Sequence, residues 1–256
     1  MALLQRRAFI LTAAALAACP GLSARVIALP TVEFRQTYCL NPNGRVLIHN
    51  LYGDVRITAW DRDEVLVQAI KKSRDHRRLD DAQIVVDSSL DMLSIRTLYV
   101  GADAEHPASV EYHIMVPRSA NLENIKLING ALSISGVSGP VKASSVNGSI
   151  HAEKIGGEAD LSTVNGPLEV DFNRILPSRL IALSSVNGAI RLSIPSDADA
   201  ILDARNLSGG IETEFGHAWR ESSGQRLRTT VNRGGAQIQL HNVNGGISIH
   251  SWLKRT

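Results

Sequence analysis

The strongest constraint on the fold is a short frame, apolar-x-Gly-x-apolar-x-apolar, which recurs along the chain. Five copies follow one another at intervals of nine residues, beginning at positions 128, 137, 146, 155 and 164. Further copies begin at positions 51, 186, 207 and 243. A fixed period of this kind is typical of solenoids, in which each unit packs on its neighbours. The repeat therefore predicts a stack of equivalent units.

Alternating apolar and polar positions within the frame predict β-strands. In the copy that begins at Val146, alternate residues up to Ala152 share one face, which we expect to point inward. The inward residues are even-numbered from Val146 to Ala152 and odd-numbered in the next copy, which begins at Ile155. An unbroken strand cannot make this change, so each unit needs a corner as well as a strand. Small hydroxyl side chains suit corners. We expect the corners at Ser144-Ser145, Ser162-Thr163 and Ser184-Ser185.

Two units make one coil, and equivalent strands would stack in parallel about 4.8 Å apart. The predicted fold class is all-β, a single flattened parallel β-solenoid with 18–22 residues per coil, given by the spacing of the copies. The extra residues of the longer coils would loop out near residues 174–178. The alternative is a meander of antiparallel hairpins with type I′ turns at Asn-Gly. The solenoid is favoured because the alternation continues across Asn-Gly.

The first 19 residues have the layout of a bacterial export signal, with Arg6-Arg7 before an uncharged run over residues 8–18. That run is too short to span a bilayer as a helix. Leu16-Ala17-Ala18-Cys19 resembles a lipobox, in which Cys19 is lipidated and becomes the new N-terminus. Cleavage after Ala24 is the alternative. The paired arginines fit either a twin-arginine signal or the basic start of a general secretion signal.

The chain is therefore predicted to have a signal peptide with a lipobox (residues 1–19), a tether (20–44) and a β-solenoid repeat domain (45–256). The expected location is the periplasm or cell envelope, as a membrane-anchored lipoprotein. The formal net charge is +2, which gives no reason to expect nucleic acid as a partner.

Two stretches resemble a known family. They are Leu51-Tyr52-Gly53-Asp54-Val55-Arg56-Ile57, followed by Trp60-Asp61-Arg62-Asp63-Glu64-Val65, and the serial Ser-Val-Asn-Gly units. Together they resemble the bacterial "putative adhesin" family of β-strand-repeat domains, over residues 45–250. The resemblance implies an exported or envelope-associated β-repeat domain. It implies no reaction and assigns no functional residue.

The Asn-Gly pairs are interpreted as the structural repeat. Stacked asparagine amides can hydrogen-bond along a solenoid, and glycine permits close approach of two backbones. A row of asparagines that binds a sugar or an ion is the alternative. The residues concerned are Asn129, Gly130, Asn147, Gly148, Asn165, Gly166, Asn187, Gly188, Asn244 and Gly245.

Counting five positions past the start of each frame places His151, Glu169, Arg191 and Glu212 in one outward column, which would form a surface ladder of ion pairs. Two positions further, Glu153 and Asp171 would be neighbours. They are either two solvated carboxylates that repel each other or part of a Ca²⁺ site.

No residue is assigned a catalytic or metal-binding role, and no cofactor is expected, because the sequence lacks an ordered nucleophile–base set and metal-ligand spacing. The basic run at residues 71–78 is either a solvated loop or a contact for an anionic partner. We expect a non-enzymatic exported envelope protein that uses its solenoid surface for binding, adhesion or scaffolding, with an envelope or extracellular ligand. The alternative is a polysaccharide-acting β-helix enzyme such as a lyase, although aromatic residues, which serve as sugar platforms, make up only 4% of the chain.

Overall fold

The computed structural model describes residues 30–100, 107–215, 219–220 and 225–253, and this part of the chain is all-β apart from one short helix, α1 (His76–Asp81). The earlier strands are β1 (Thr31–Cys39), β2 (Arg45–Tyr52), β3 (Val55–Trp60), β4 (Glu64–Lys72), β5 (Ala82–Ser88), β6 (Met92–Tyr99), β7 (Ser109–Pro117), β8 (Asn121–Asn129), β9 (Leu132–Ser135) and β10 (Val141–Asn147). The later strands are β11 (Ile150–Ile155), β12 (Ala159–Asn165), β13 (Leu168–Phe172), β14 (Leu180–Asn187), β15 (Ile190–Pro195), β16 (Ala200–Ser208), β17 (Ile211–Thr213), β18 (Trp219–Arg220), β19 (Arg226–Val231), β20 (Ala236–Asn244) and β21 (Ile247–Trp252).

From β8 to β17, consecutive strands alternate between two sheets. Sheet A has the order β1-β4-β7-β3-β9-β11-β13-β15-β21-β17. Sheet B has the order β18-β19-β16-β20-β14-β12-β10-β8-β2-β6-β5. One strand of sheet B and the following strand of sheet A make one coil, and the coils stack along the direction in which the strands hydrogen-bond.

The two sheets are mixed, which corrects the prediction of a single parallel solenoid. Sheet A is parallel from β7 to β17, and sheet B is parallel from β16 to β6. Strands β1 and β4 extend sheet A antiparallel, and β5, β18 and β19 extend sheet B in the same way. These added strands lack the repeated frame, and they cover edges of the parallel stack that would otherwise present unpaired backbone groups.

The last two coils do not stack in sequence order. Strand β20 lies between β14 and β16, so Asn244 is level with Asn187 on one side and with Ser208 on the other. The predicted surface ladder instead requires the coil of Glu212 to lie next to the coil of Arg191. Strand β21 pairs with β15 from Ile190 to Pro195, whereas β17 spans only three residues. Strand β15 therefore has a longer hydrogen-bonded partner in β21 than it would have in β17.

The corners lie at the Asn-Gly pairs, which corrects the prediction that they lie at the Ser-Ser and Ser-Thr pairs. Strand β10 continues through Ser144 and Ser145 to Asn147, and β11 begins at Ile150 in the opposite sheet. Ser145 is buried, whereas Val146, which was expected to point inward, is partly exposed. The hairpin alternative correctly made Asn-Gly a connection between strands, but the two strands belong to different sheets and do not pair.

Aliphatic side chains fill the space between the sheets. One inward position of sheet A recurs in six neighbouring strands, where it is occupied by Leu132, Ile150, Leu168, Ile190, Ile247 and Ile211. Each of these side chains is at most 4% exposed. Burying one aliphatic side chain of this size contributes about 1.5–3 kcal/mol. The column thus joins successive coils through one continuous core.

The folded domain begins earlier than the repeats predicted. Residues 31–39, which the sequence assigned to the tether, form β1 and pair along their whole length with β4. The predicted signal peptide, including Cys19, lies outside the described residues. The basic run at residues 71–78 comprises the end of β4, a short connection and the start of α1. Within it, Lys72 pairs with Glu111 at 2.6 Å.

Candidate binding surface at the Asn-Gly edge

The corners that follow the strands of sheet B stack into one long edge of the molecule. We call this the Asn-Gly edge. In stack order it consists of residues 52–54, 129–131, 147–149, 165–167, 187–189, 244–246 and 208–210. Glycine is the central residue of every one of these corners.

The glycines are required because successive coils approach each other closely. A Cβ atom on Gly148 would lie 2.0 Å from the carbonyl oxygen of Gly130, and one on Gly188 would lie 2.0 Å from that of Gly166. Real Cβ atoms essentially never come within 3.0 Å of another heavy atom in this way. The obstacle is backbone rather than a flexible side chain, so it cannot rotate away.

Buried polar side chains bind the glycine carbonyls from inside the stack. The best-formed donor–acceptor pairs are Asn50 to Gly53 (2.9 Å), Thr163 to Gly148 (3.1 Å), Asn242 to Gly188 (3.0 Å) and Asn206 to Gly245 (2.7 Å). The hydroxyls of Ser145 and Ser185 approach the carbonyls of Gly130 and Gly166 at 3.4 and 3.5 Å. An unsatisfied buried carbonyl costs about 1–3 kcal/mol. The sequence analysis assigned Ser145, Thr163 and Ser185 to corners. They lie within strands instead, and each stabilises the corner of the neighbouring coil.

Asparagine side chains form a hydrogen-bonded ladder on the outside of the same edge. The Nδ2 group of each donates to the Oδ1 atom of the asparagine one coil away. The distances are 3.0 Å from Asn147 to Asn129, 2.8 Å from Asn165 to Asn147, 2.9 Å from Asn187 to Asn165 and 2.9 Å from Asn244 to Asn187. Each amide has a second N–H and a second lone pair that this ladder does not use. The exposed row therefore keeps hydrogen-bonding capacity for a polar partner.

A row of exposed aliphatic side chains runs beside the asparagine ladder on the outer face of sheet B. We call this row the apolar ridge. In stack order its members are Leu98, Leu51, Ile128, Val146, Val164, Val186, Val243 and Leu207. Six of them are 39–67% exposed, and Val146 and Val243 are partly exposed. The sequence missed this ridge because the frame placed seven of its eight members, all except Leu98, in the core.

Three of the four residues of the predicted surface ladder lie side by side on sheet A. The Nδ1 atom of His151 is 3.4 Å from Oε2 of Glu169, and the guanidinium of Arg191 hydrogen-bonds to Oε1 of Glu169. Glu212 does not adjoin Arg191, because β21 lies between β15 and β17 and places Ser248 there. The three side chains that meet are exposed, so each link contributes about 0–1 kcal/mol.

Glu153 and Asp171 lie close enough to influence each other. Burial raises the pKa of Asp171 above its ordinary value, and the neighbouring carboxylate of Glu153 raises it further. The hydroxyl of Ser135 donates to Glu153 at 2.7 Å. Within the ranges that the structure describes, no three His, Cys, Asp or Glu side chains are grouped to hold a metal ion. A calcium site at this pair would need ligands of another kind.

The family model described as "Toastrack DUF4097" matches residues 53–250. This chain belongs to the Toastrack DUF4097 family. The match begins at the first glycine of the Asn-Gly edge and ends within β21, so the Toastrack domain covers most of the stacked coils. The family resemblance predicted from the sequence is thereby confirmed. No curated protein matches the chain.

Matches among solved structures bear adhesin names. One from Clostridium sporogenes, described as a "putative cell adhesion protein", has a TM-score of 0.50 and 10% identity, and the match covers 86% of this chain and 100% of that one. Another from Bacteroides fragilis, described as a "putative adhesin", has a TM-score of 0.39 and 10% identity, with 86% and 97% covered. The first likeness supports the fold alone, and the second is too weak to argue from.

The glycine contact predicts that Gly148→Ala destabilises the protein by about 1–3 kcal/mol, because the new methyl group meets the Gly130 carbonyl. Gly210→Ala is the matched control, since a Cβ atom there has nothing within 4 Å. Urea-induced unfolding of the two variants measures the difference. Equal stability of the two would show that the close approach does not require glycine.

The inner hydrogen bonds predict that Thr163→Val lowers the free energy of unfolding by about 1–3 kcal/mol. Valine keeps the shape of threonine but leaves the Gly148 carbonyl without its hydroxyl donor. Ser162→Ala, on the outward face of the same strand, should change stability by less than about 0.5 kcal/mol. A Thr163→Val variant as stable as the Ser162→Ala control would contradict this role.

Proposed function

We propose that the protein is an exported, non-enzymatic binding protein of the bacterial cell envelope, tethered to a membrane by a lipid on Cys19. The paired basic residues Arg6-Arg7, the uncharged run and the lipobox-like Leu16-Ala17-Ala18-Cys19 support export and lipidation. Membership of the Toastrack family and the name of the Clostridium sporogenes structure, a "putative cell adhesion protein", support a binding role.

The Asn-Gly edge is the observation that carries the binding role. Equivalent side chains lie there in register, in columns that run from Tyr52 to Ser208 across seven corners. The asparagine ladder supplies repeated hydrogen-bonding groups, and the apolar ridge beside it supplies repeated apolar contacts. Surfaces of this kind suit an extended partner that is contacted at many equivalent positions, as in other repeat proteins.

No helix among the described residues is long and apolar enough to cross a bilayer. The proposed attachment is therefore argued from the N-terminal sequence, with residues 20–30 as the link between Cys19 and β1.

The proposal predicts that the mature protein, recovered from membranes, begins with a lipid-modified Cys19. Mass spectrometry of the intact chain and of its N-terminal peptide measures this directly. Cys19→Ala should abolish the lipid and release the protein from the membrane fraction. Cys39→Ser is the matched control, because Cys39 is exposed within β1 and should have no part in anchoring. An intact Met1, or a mature chain that begins at Arg25, would refute the lipid tether.

The non-enzymatic assignment is tested separately with purified mature protein and a panel of anionic and neutral polysaccharides. We expect no new reducing or unsaturated ends over prolonged incubation. Reproducible chain cleavage that is lost on substitution of a side chain in the outer columns would replace the binding role with the lyase-type alternative.

A further inference from the structure

The two long edges of the stack differ sharply in charge. Among the described residues that form the corners of the Asn-Gly edge, Asp54 is the one charged side chain, and its carboxylate accepts the backbone N–H of Ala131 at 2.8 Å. The opposite edge is rich in ion pairs, which include Asp61–Arg118 (3.0 Å), Glu158–Arg179 (3.0 Å) and Asp199–Arg233 (2.8 Å). The opposite edge is therefore suited to bulk water, and the Asn-Gly edge is suited to contact with a less polar surface.

The apolar ridge borders the nearly uncharged edge over the full length of the repeats. It contains one aliphatic residue from each of eight adjacent strands of sheet B. At a strand spacing of about 4.8 Å the ridge is about 34 Å long. It is one side chain wide, which corresponds to about 7 Å along a strand. Such a line offers one apolar contact per strand to a surface that lies along it.

Basic side chains flank the ridge on its other side. The row two residues before the ridge, again in stack order, is Arg96, His49, Lys126, Ser144, Ser162, Ser184, His241 and Arg205. This row contains no carboxylate. Arg96 pairs with Asp87 and Arg205 with Asp203, whereas Lys126 has no ion pair among the described residues. Burial lowers the pKa of His49, and the charges of Lys126 and Arg96 lower it further, which reflects how close these cations lie.

The chain enters the fold at this same edge. Thr31, at the start of β1, is level with Lys72 of β4 and through it with Ser109 of β7. Strand β7 runs parallel to β3, and Tyr112 of β7 pairs with Val55. Ser109 lies three residues before Tyr112. Val55 is the first strand residue after the corner at 52–54. The first residue of β1 therefore lies at the Asn-Gly edge, near the end of the ridge that carries Arg96 and Lys126.

The proposed tether would hold this edge close to the bilayer. If Cys19 carries the lipid, residues 20–30 join the membrane to Thr31, and 11 residues span at most about 40 Å. That reach is similar to the length of the ridge, so the ridge can meet the membrane surface along its whole length without strain in the link.

We propose that the Asn-Gly edge docks on the surface of an anionic phospholipid bilayer, with the apolar ridge in contact with the interface and the flanking cations at the headgroups. The inference rests on the proposed function for its tether, and it names the partner of the same surface. Shallow contact of an apolar row, reinforced by basic residues that attract anionic headgroups, is the pattern of reversible membrane-surface binding. The asparagine amides would hydrogen-bond to headgroups beside the ridge.

A second copy of the chain fits this surface less well than a bilayer. A strip about 34 Å by 7 Å covers roughly 240 Å², whereas a stable dimer buries about 800 Å² on each partner. Contact with a bilayer surface, to which the proposed lipid on Cys19 also attaches the protein, has no such area requirement.

The test compares two positions on one strand. Val186 and Leu180 lie at opposite ends of β14, both on the outer face of sheet B, and they are 39% and 48% exposed. In a Cys39→Ser background, Val186→Cys or Leu180→Cys is labelled with an environment-sensitive fluorophore. The mature chain, with its own N-terminus, is reconstituted with vesicles that contain phosphatidylglycerol and lipids brominated in the acyl chain. Phosphatidylcholine vesicles that contain the same brominated lipids are the comparison.

We expect severalfold stronger quenching at position 186 than at 180 in the anionic vesicles. The difference should shrink in phosphatidylcholine and at high salt, because the attraction between cations and headgroups is screened. Equal quenching at the two positions, with the protein still bound through its lipid, would overturn the docking and leave the proposed function intact. If the mature chain carries no lipid, the same comparison on added vesicles decides the docking, and the missing tether counts against the proposed function alone.

Sedimentation of the chain in detergent-free buffer without lipid tests whether a second copy of the chain binds the Asn-Gly edge. We expect no self-association that depends on the ridge. A dimer that the double variant Val164→Ser/Val186→Ser converts to a monomer, while Leu180→Ser leaves it dimeric, would assign the edge to a second copy and overturn the proposal.

Discussion

At every corner of the Asn-Gly edge except the first, a glycine lies against the backbone carbonyl of the glycine in a neighbouring coil, and at the first corner Gly53 lies against the carbonyl of Val110. The contact leaves no room for a side chain, as the 2.4 Å approach of a Cβ atom on Gly166 to the Gly148 oxygen illustrates. Thr163 binds that same oxygen from inside the stack, and the Asn147–Asn165 hydrogen bond closes the corner from outside. Each coil is thus positioned by its neighbour through backbone contact, a buried donor and an exposed amide.

Because the register is fixed, equivalent residues of successive coils lie side by side and form continuous surfaces. Two residues separate the strands at every corner of the Asn-Gly edge, whereas the connections at the opposite edge vary in length, from residues 156–158 to residues 173–179. Differences in coil length are therefore accommodated at the charged edge, and the columns on the Asn-Gly edge remain in register. A valine that would be an ordinary exposed residue in one coil becomes, by repetition, part of the continuous apolar ridge. The proposed membrane contact depends on this repetition rather than on a pocket.

Much of the fold could be predicted from the sequence, because the repeat is local and regular. The all-β class, the parallel neighbours of Asn147 and Asn165, and the loop near residues 174–178 follow from spacing alone. The corner position was mispredicted because Val164 looks like a core residue and Thr163 like a turn residue. The structure reverses them, since a buried hydroxyl is needed at the glycine carbonyl. Continuing the alternation from buried Leu161 would have placed Thr163 inward.

The antiparallel strands and the order of the last coils depend on long-range pairing that no local pattern specifies. Strand β20 lies between β14 and β16, and its coil offers more pairing than the coil of β16 and β17, since β21 pairs with β15 over six residues and β17 spans three. The surface ladder was mispredicted at Glu212 for this reason alone, since the column position was right and the neighbouring coil was not.

Disulfide cross-linking across the Asn-Gly edge tests the register-locked stack most directly. In a Cys39→Ser background, the pair Asn187→Cys and Asn244→Cys is compared with the pair Asn187→Cys and Ser208→Cys under mild oxidation. Asn187 and Asn244 lie on adjacent strands, about 4.8 Å apart, which a disulfide can bridge. Ser208 is one strand further, roughly 10 Å from Asn187, which is too far. Efficient cross-linking of the first pair alone is the predicted result, and preferential cross-linking of the second pair would contradict the stack described for this protein.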